Sequence, residues 1–235
     1  MYLIKRLSLF AISLKTFYNI ITMNTKTIFL IIGSLVFVFG FLFMVYKFTN
    51  TSTDYSSITV VKPGDHVKWT PNSRHILVEY SDLQCPACKA FNDILNSFES
   101  TGSANADIPK KVTLVFRHFP LFQVHENAFE MAYAAEAASL QGKFFPLVDA
   151  IFKDQATLET TKDAKGFVME EAKNIGINID QLNKDMDSKP VKDKVNSDLA
   201  QGEQVNIPGT PTFFLDGKML DFQTPQEFIQ ILKKL

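Results

Sequence analysis

Twenty consecutive positions near the start of the chain, Thr27 to Tyr46 (TIFLIIGSLVFVFGFLFMVY), carry no charge. At about 1.5 Å of rise per residue, such a helix spans roughly 30 Å, the hydrocarbon thickness of a bilayer. Beyond a Ser/Thr-rich stretch at 50–57 the pattern changes to short runs. His75 to Tyr80 (HILVEY) and Val112 to Arg117 (VTLVFR) are mainly apolar and of strand length. Between them Phe91, Ile94, Leu95 and Phe98 recur at i, i+3, i+4 and i+7, which predicts a helix from Pro86 to about Glu99. Residues 101–107 (TGSANAD) break it. This strand–helix–strand order predicts a parallel pair joined by a right-handed crossover.

From Glu126 to Gln204 the texture is helical. An Ala-rich segment, ENAFEMAYAAEAASLQG, stops at Gly142. A helix follows over 166–174, with Gly176 suited to the position after its end. Asp180 is placed to cap another helix. Pro190 fits the first turn of a third, whose face carries Val191, Val195 and Leu199. Strand character returns at Thr212–Leu215 (TFFL) and Lys218–Phe222 (KMLDF). They flank Asp216-Gly217, a strong signal for a two-residue hairpin. Thr224-Pro225-Gln226-Glu227 reads as a capping box opening a last helix, with Phe228, Ile229 and Leu232 on its apolar face. The predicted architecture is therefore one α/β sheet interrupted by a helical insertion. The expected parts are an N-terminal segment (1–26), a membrane span (27–46), a tether (47–64), a first core half (65–122), the insertion (123–206) and a second core half (207–235).

Charge orients the span. Lys5, Arg6, Lys15 and Lys26 precede it, no acid occurs before Asp54, and only Lys47 follows closely. Positive charge stays on the cytoplasmic side, so the N-terminus is expected in the cytoplasm and the globular part outside a cell membrane crossed once. The apolar run exceeds the about 7–15 residues of a signal-peptide core, and no small-residue cleavage site follows. An uncleaved anchor is preferred over a cleaved signal. Met23 opens a second anchor-like start, MNTKTIFL, so residues 1–22 admit a reading as untranslated. A net charge of −1 gives no reason to expect nucleic acid as a partner.

The only two cysteines, Cys85 and Cys88, stand three apart where the first predicted strand gives way to a helix. Pro86 suits the first helical turn, where no N–H is needed. The free N–H groups of that turn and the positive end of the helix dipole favour a thiolate at Cys85. A thiol so placed in a C-x-x-C motif titrates at about 3.5–7 instead of about 8.5. Cys88 lies on the side of Phe91 and Leu95 and is expected to face inward. One exposed, acidic thiol beside one buried, less acidic thiol is the asymmetry that dithiol exchange requires. A zinc site would need two more ligands from His66, His75, His118 and His125, which show no paired spacing, so no metal is assigned. An inert disulfide closing so small a ring would stabilise little. Glu79 interrupts the apolar run six residues before Cys85. Strand alternation would place it in solvent. A partly buried carboxylate near Cys88 would instead be a proton acceptor with a raised pKa.

These residues resemble the DsbA-like family of thioredoxin-fold thiol:disulfide oxidoreductases. The resemblance runs from about Asp65 to Leu235 through ILVEYSDLQCPAC (76–88), FRHFPL (116–121), NAFEMAYAAEAASLQGKFF (127–145) and IPGTPTFFLDGK (207–218). It implies a thioredoxin-like fold with a helical insertion, behind the N-terminal transmembrane helix. It further implies a cis bond at Thr210–Pro211 in a loop packed against the cysteines, with the Thr210 backbone pairing with substrate. Pro86 and Ala87 join Thr210 as substrate-facing positions. From spacing alone Pro208 and Pro211 read only as turn residues, and His118 as a packed histidine at a strand end. The expected reaction is the introduction of disulfides into reduced secreted or envelope proteins. Cys85 is then the nucleophile, Cys88 the resolving thiol, Pro211 part of the platform and Glu79 a proton carrier. Reoxidation by a DsbB-like membrane partner is expected, with no cofactor and a monomeric protein. A reductase or isomerase, or a non-catalytic chaperone-like binding module, are the rival readings. Ala87 departs from the most oxidising members, which carry histidine there. No separate dimerisation domain of the isomerase kind is read, which favours an oxidase.

Overall fold

The computed structural model describes residues 24–49 and 55–235. The chain divides into two compact units, residues 1–53 and 54–235. In the first, helix α1 (Thr25–Thr49) contains one stretch, Thr25–Lys47, long and apolar enough to cross a membrane, with a hydropathy of 2.9. The expectations for residues 1–22 and for residues 50–54 of the tether lie outside the described residues.

The second unit is built on a five-stranded sheet in the order β1-β3-β2-β4-β5. The two runs read as strands are β2 (His75–Ser81) and β3 (Val112–His118), each one residue longer than expected. They pair in parallel, with Leu77 opposite Leu114 and Glu79 opposite Phe116. Helix α2 (Pro86–Ser97) and the short α3 (Ile108–Lys111) fill the crossover. Strand β1 (His66–Trp69) was not legible. Its four residues HVKW are half-buried and pair antiparallel with β3 at the sheet edge. Strand β4 (Thr212–Leu215) lies antiparallel to β2. Asp216 and Gly217 both take positive φ, 50° and 79°, as the two-residue hairpin turn demands. The second arm is shorter than predicted: β5 holds only Lys218–Met219. The chain then turns into α10 (Pro225–Lys233), where Thr224 Oγ1 accepts from the Glu227 amide at 3.2 Å. Glu227 reaches back to the Gln223 amide at 2.7 Å, one residue earlier than a standard box.

Six helices form the insertion: α4 (Ala128–Ser139), α5 (Phe144–Lys153), α6 (Gln155–Thr160), α7 (Ala164–Asn174), α8 (Ile179–Met186) and α9 (Lys189–Gln204). Helix α8 is capped by Asn178, not by Asp180. Asn178 has the extended backbone a cap requires, and its side chain accepts from the Gln181 amide at 3.0 Å, whereas Asp180 already lies in the first turn.

Phe91, Leu95 and Phe98 of α2 pack with Leu77, Phe213 and Phe228 into one apolar cluster. Ile58, Val78, Tyr80, Val115 and Phe214 form a second. Each such side chain contributes about 1.5–3 kcal/mol when fully buried. A third cluster fills the insertion and includes both Cys85 and Cys88. The cysteines therefore sit where the helical block meets the sheet. Arg117, on β3, is completely buried. It donates to Ile58 O at 2.7 Å, Val60 O at 3.0 Å and Asp65 Oδ2 at 2.7 Å, tying the segment before β1 to the sheet.

Candidate active site

Cys85 is the N-cap of α2, with extended backbone (φ −79°, ψ 123°), and Pro86 occupies the first turn. The helix begins there because Cys85 O accepts from the Lys89 amide at 3.1 Å. The loop before it is fixed by Asp82, which is 2% exposed. Asp82 Oδ1 accepts from the Gln84 amide at 2.8 Å, and Oδ2 accepts from the Leu121 amide and from His125 Nδ1, each at 2.8 Å. From the insertion, buried Gln155 donates through Nε2 to both Leu83 O and Cys85 O at 3.2 Å. Neither Asp82 nor Gln155 was singled out from sequence. An Asp at a strand end can bond the backbone amide two residues on, a turn signal that could have flagged Asp82. Nothing local marks Gln155.

Both cysteines are free thiols. Cys88 is fully buried, as expected. Cys85 is not openly exposed: only 7% of its surface is accessible. The loop before β4 approaches it, and the Cys85 thiol donates to Thr210 O at 3.4 Å. The Thr210–Pro211 bond is cis, as the resemblance implied. Pro86 and Ala87 are exposed beside this junction, and Thr210 and Pro211 are half-buried in it. Cys85, Cys88, Thr210 and Pro211 thus come together from two ends of the sequence.

The electrostatics are asymmetric. The Cys85 thiol is pulled down to about 5, first by the hydrogen bond from Cys88, against the cost of burial. The amides of Cys88 and Ala87 and the Thr210 hydroxyl add to the pull. As a thiolate Cys85 can no longer donate to Thr210 O. The Thr210 hydroxyl is buried beside it and has no hydrogen-bond partner among the described residues. Cys88 moves the other way. Burial pushes its pKa well up, and the charge of a Cys85 thiolate pushes it further. The Asp82 amide, which donates to Cys88 Sγ at 3.5 Å, opposes this.

Glu79 does not face solvent. It is 3% exposed, because β2 is an interior strand covered on both faces. Its Oε1 has no hydrogen-bond partner. Burial raises its carboxyl to about 7, against the Ser81 hydroxyl and the charge of Lys68. Its own charge raises Cys88 further, so the two groups sense each other.

A family model described as thioredoxin matches residues 62–234. The chain belongs to the thioredoxin family. Among curated proteins it is similar to the Na(+)/H(+) antiporter NhaA 1 of Mycobacterium sp. (strain KMS), 31% identical over 167 residues, which are 68% of this chain and 25% of that protein. The antiporter NhaA 1 of Mycolicibacterium gilvum (strain PYR-GCK) is 32% identical over 156 residues, 66% of this chain and 24% of that protein. The chain spans about a quarter of the length of these curated relatives. Among solved structures, α-DsbA1 of Wolbachia pipientis superposes with a TM-score of 0.64 at 19% identity, over 77% of this chain and 95% of that one. BdbD of Bacillus subtilis, in its oxidised form, gives 0.61 at 23% identity, over 73% and 92%. A thioredoxin-like oxidoreductase of Silicibacter pomeroyi gives 0.60 at 24% identity, over 74% and 92%. These likenesses establish the thioredoxin-like fold with its helical insertion, and the recognition of a DsbA-like thiol:disulfide oxidoreductase agrees with them.

Proposed function

We propose that this thioredoxin-family chain introduces disulfides into reduced proteins outside the cell membrane, to which α1 anchors it with its N-terminus in the cytoplasm. The observation that carries the reading is the split between the two thiols: Cys85 titrating near 5, Cys88 buried and well above the ordinary cysteine value.

In the oxidised protein a substrate thiolate attacks Cys85 Sγ. The Cys85–Cys88 bond breaks, a substrate–Cys85 disulfide forms, and Cys88 leaves as a thiolate. Buried at a high pKa, that thiolate takes a proton, for which Glu79 near 7 is the donor. A second substrate thiolate then attacks the substrate sulfur and expels Cys85, whose low pKa makes it a good leaving group. The substrate loses two hydrogens. Both of its protons pass to solvent as its thiolates form, Cys88 holds the proton given by Glu79, and Glu79 is left ionised. In renewed oxidation the Cys85 thiolate attacks a disulfide of an electron acceptor, such as a DsbB-like membrane protein, and expels one of its thiolates; Cys88 returns its proton to Glu79 and attacks Cys85 Sγ, which restores the Cys85–Cys88 bond and releases the acceptor as a dithiol.

Apolar surface beside the site suits unfolded chains. Phe122 and Val124 are 48% and 73% exposed on the loop that Asp82 holds through the Leu121 amide. Phe122 packs on Phe129 at 5.5 Å, and Phe129 on Tyr133 at 5.6 Å. Ala87 favours a second reading, a reductase or isomerase, because it adds no donor or charge to the thiolate. Equilibration of the full chain with glutathione buffers separates the two. A potential near the about −120 mV extreme of such dithiols supports the oxidase, and one near about −270 mV overturns it. In cells, Cys88→Ala is expected to accumulate mixed disulfides through Cys85. A chain that captures no client, while its double cysteine variant still binds unfolded protein, is a binding module.

A further inference from the structure

His66 on β1, His118 at the end of β3 and Glu136 in α4 converge where the sheet edge meets the helical block. His66 Nε2 lies 2.6 Å from Glu136 Oε2, and His118 Nε2 lies 3.4 Å from the same oxygen. All three atoms are within 4.8 Å of one another. His118 is 1% exposed, and its Nε2 makes no hydrogen bond among the described residues. A buried ring nitrogen left so is costly. The rings are also held in place. His66 stacks on Phe144 at 3.5 Å, and Phe144 and Phe116 meet His118 edge-on at 5.6 Å and 5.3 Å.

We propose that His66, His118 and Glu136 bind one divalent transition-metal ion of the zinc class, with a fourth position left to water. Two imidazoles and a carboxylate are a donor set that zinc takes at about 2.0–2.2 Å. Atoms sharing one tetrahedral ion at that distance stand about 3.4 Å apart. The His118–Glu136 separation already has this value, and the His66–Glu136 contact needs to open by less than about 1 Å. The ion takes up the His118 nitrogen, which otherwise has only the 3.4 Å approach of Glu136, and clips β1, β3 and α4 together. It is separate from the dithiol and uses neither sulfur. The sequence hides the site, because its ligands sit on three elements with no motif spacing.

The test uses the full chain in detergent, with Cys85 and Cys88 first oxidised to their disulfide so that no thiolate competes. Cobalt(II) serves as the spectroscopic probe and zinc(II) as its competitor. The expected result is one equivalent of cobalt with tetrahedral visible bands, no sulfur-to-cobalt charge transfer, and displacement by zinc. His118→Gln and His66→Gln should each weaken binding at least about 100-fold, the upper end of what even loss of an outer-shell partner costs. His66 is the edge-strand residue, so His66→Gln is the variant expected to keep its fold. Failure to saturate at one equivalent overturns the proposal, as does undiminished binding by a folded His66→Gln protein.

Discussion

Replacing Glu79 by Gln tests the electrostatics of the site without touching either sulfur. Gln is close in shape to the protonated acid, so packing is retained while the charge is removed. Folding raises this carboxyl from an ordinary 4.5 to about 7. A carboxyl raised on folding destabilises the protein where it must ionise. The penalty is absent below about 4.5, grows through the interval, and is complete above about 7. The 2.5-unit difference, at about 1.36 kcal/mol per unit, amounts to about 3 kcal/mol. Glu79→Gln should therefore unfold like the parent at pH 4 and be more stable by up to about 3 kcal/mol at pH 8. Urea unfolding in detergent, followed through the fluorescence of the sole tryptophan, Trp69, reads this directly. The same variant should slow attack by Cys88 on a mixed disulfide by about 100-fold, the scale of a positioned general base. Its rate should lose the inflection near pH 7. Equal stability of the two proteins at both pH values would refute the buried, ionising Glu79 on which the proton route depends.

Cys88→Ala removes the first contributor to the Cys85 thiolate. A hydrogen bond to a charged group is worth about 1.5–3 kcal/mol, so the Cys85 pKa should rise by about 1–2 units, measured by the pH dependence of alkylation; an unchanged value would assign the effect to the helix amides alone. Ala87→His places a donor beside the thiolate and should make the protein more oxidising, by about 30 mV for each unit that Cys85 falls, read in glutathione buffers. Arg117→Met leaves Asp65 buried without its guanidinium and should cost about 3 kcal/mol, the low end for a broken buried pair because Lys194 Nζ stays 3.6 Å from Asp65 Oδ1; the thermal midpoint of the full chain reports it.

Periodicity carried most of the fold. The runs HILVEY and VTLVFR are strands because long apolar stretches bury both faces of interior strands, and Asp216-Gly217 specified its hairpin through two left-handed residues. Strand β1 escaped because an edge strand of mixed residues has neither a continuous apolar run nor clear alternation. At the site, the inequality of the cysteines was legible from their position at a helix start. The depth of Cys85 was not, because a loop more than a hundred residues away in sequence closes over it. Burial of Glu79 depended on which strands flank β2, a long-range fact that local alternation cannot supply. Gln155 and Asp82 act through backbone carbonyls and amides distant in sequence, so their roles emerge only with the tertiary arrangement.

The Arg117 guanidinium gathers Ile58 O, Val60 O and the Asp65 carboxylate into an interior strand. Tension drawn through the segment from Ile58 to Asp65 is therefore delivered to β3, which pairs with β2 along its whole length and with β1 over Thr113–Phe116. A pull from the N-terminal side of this domain thus loads two interior strands together, and the edge strand β1 is not peeled away first.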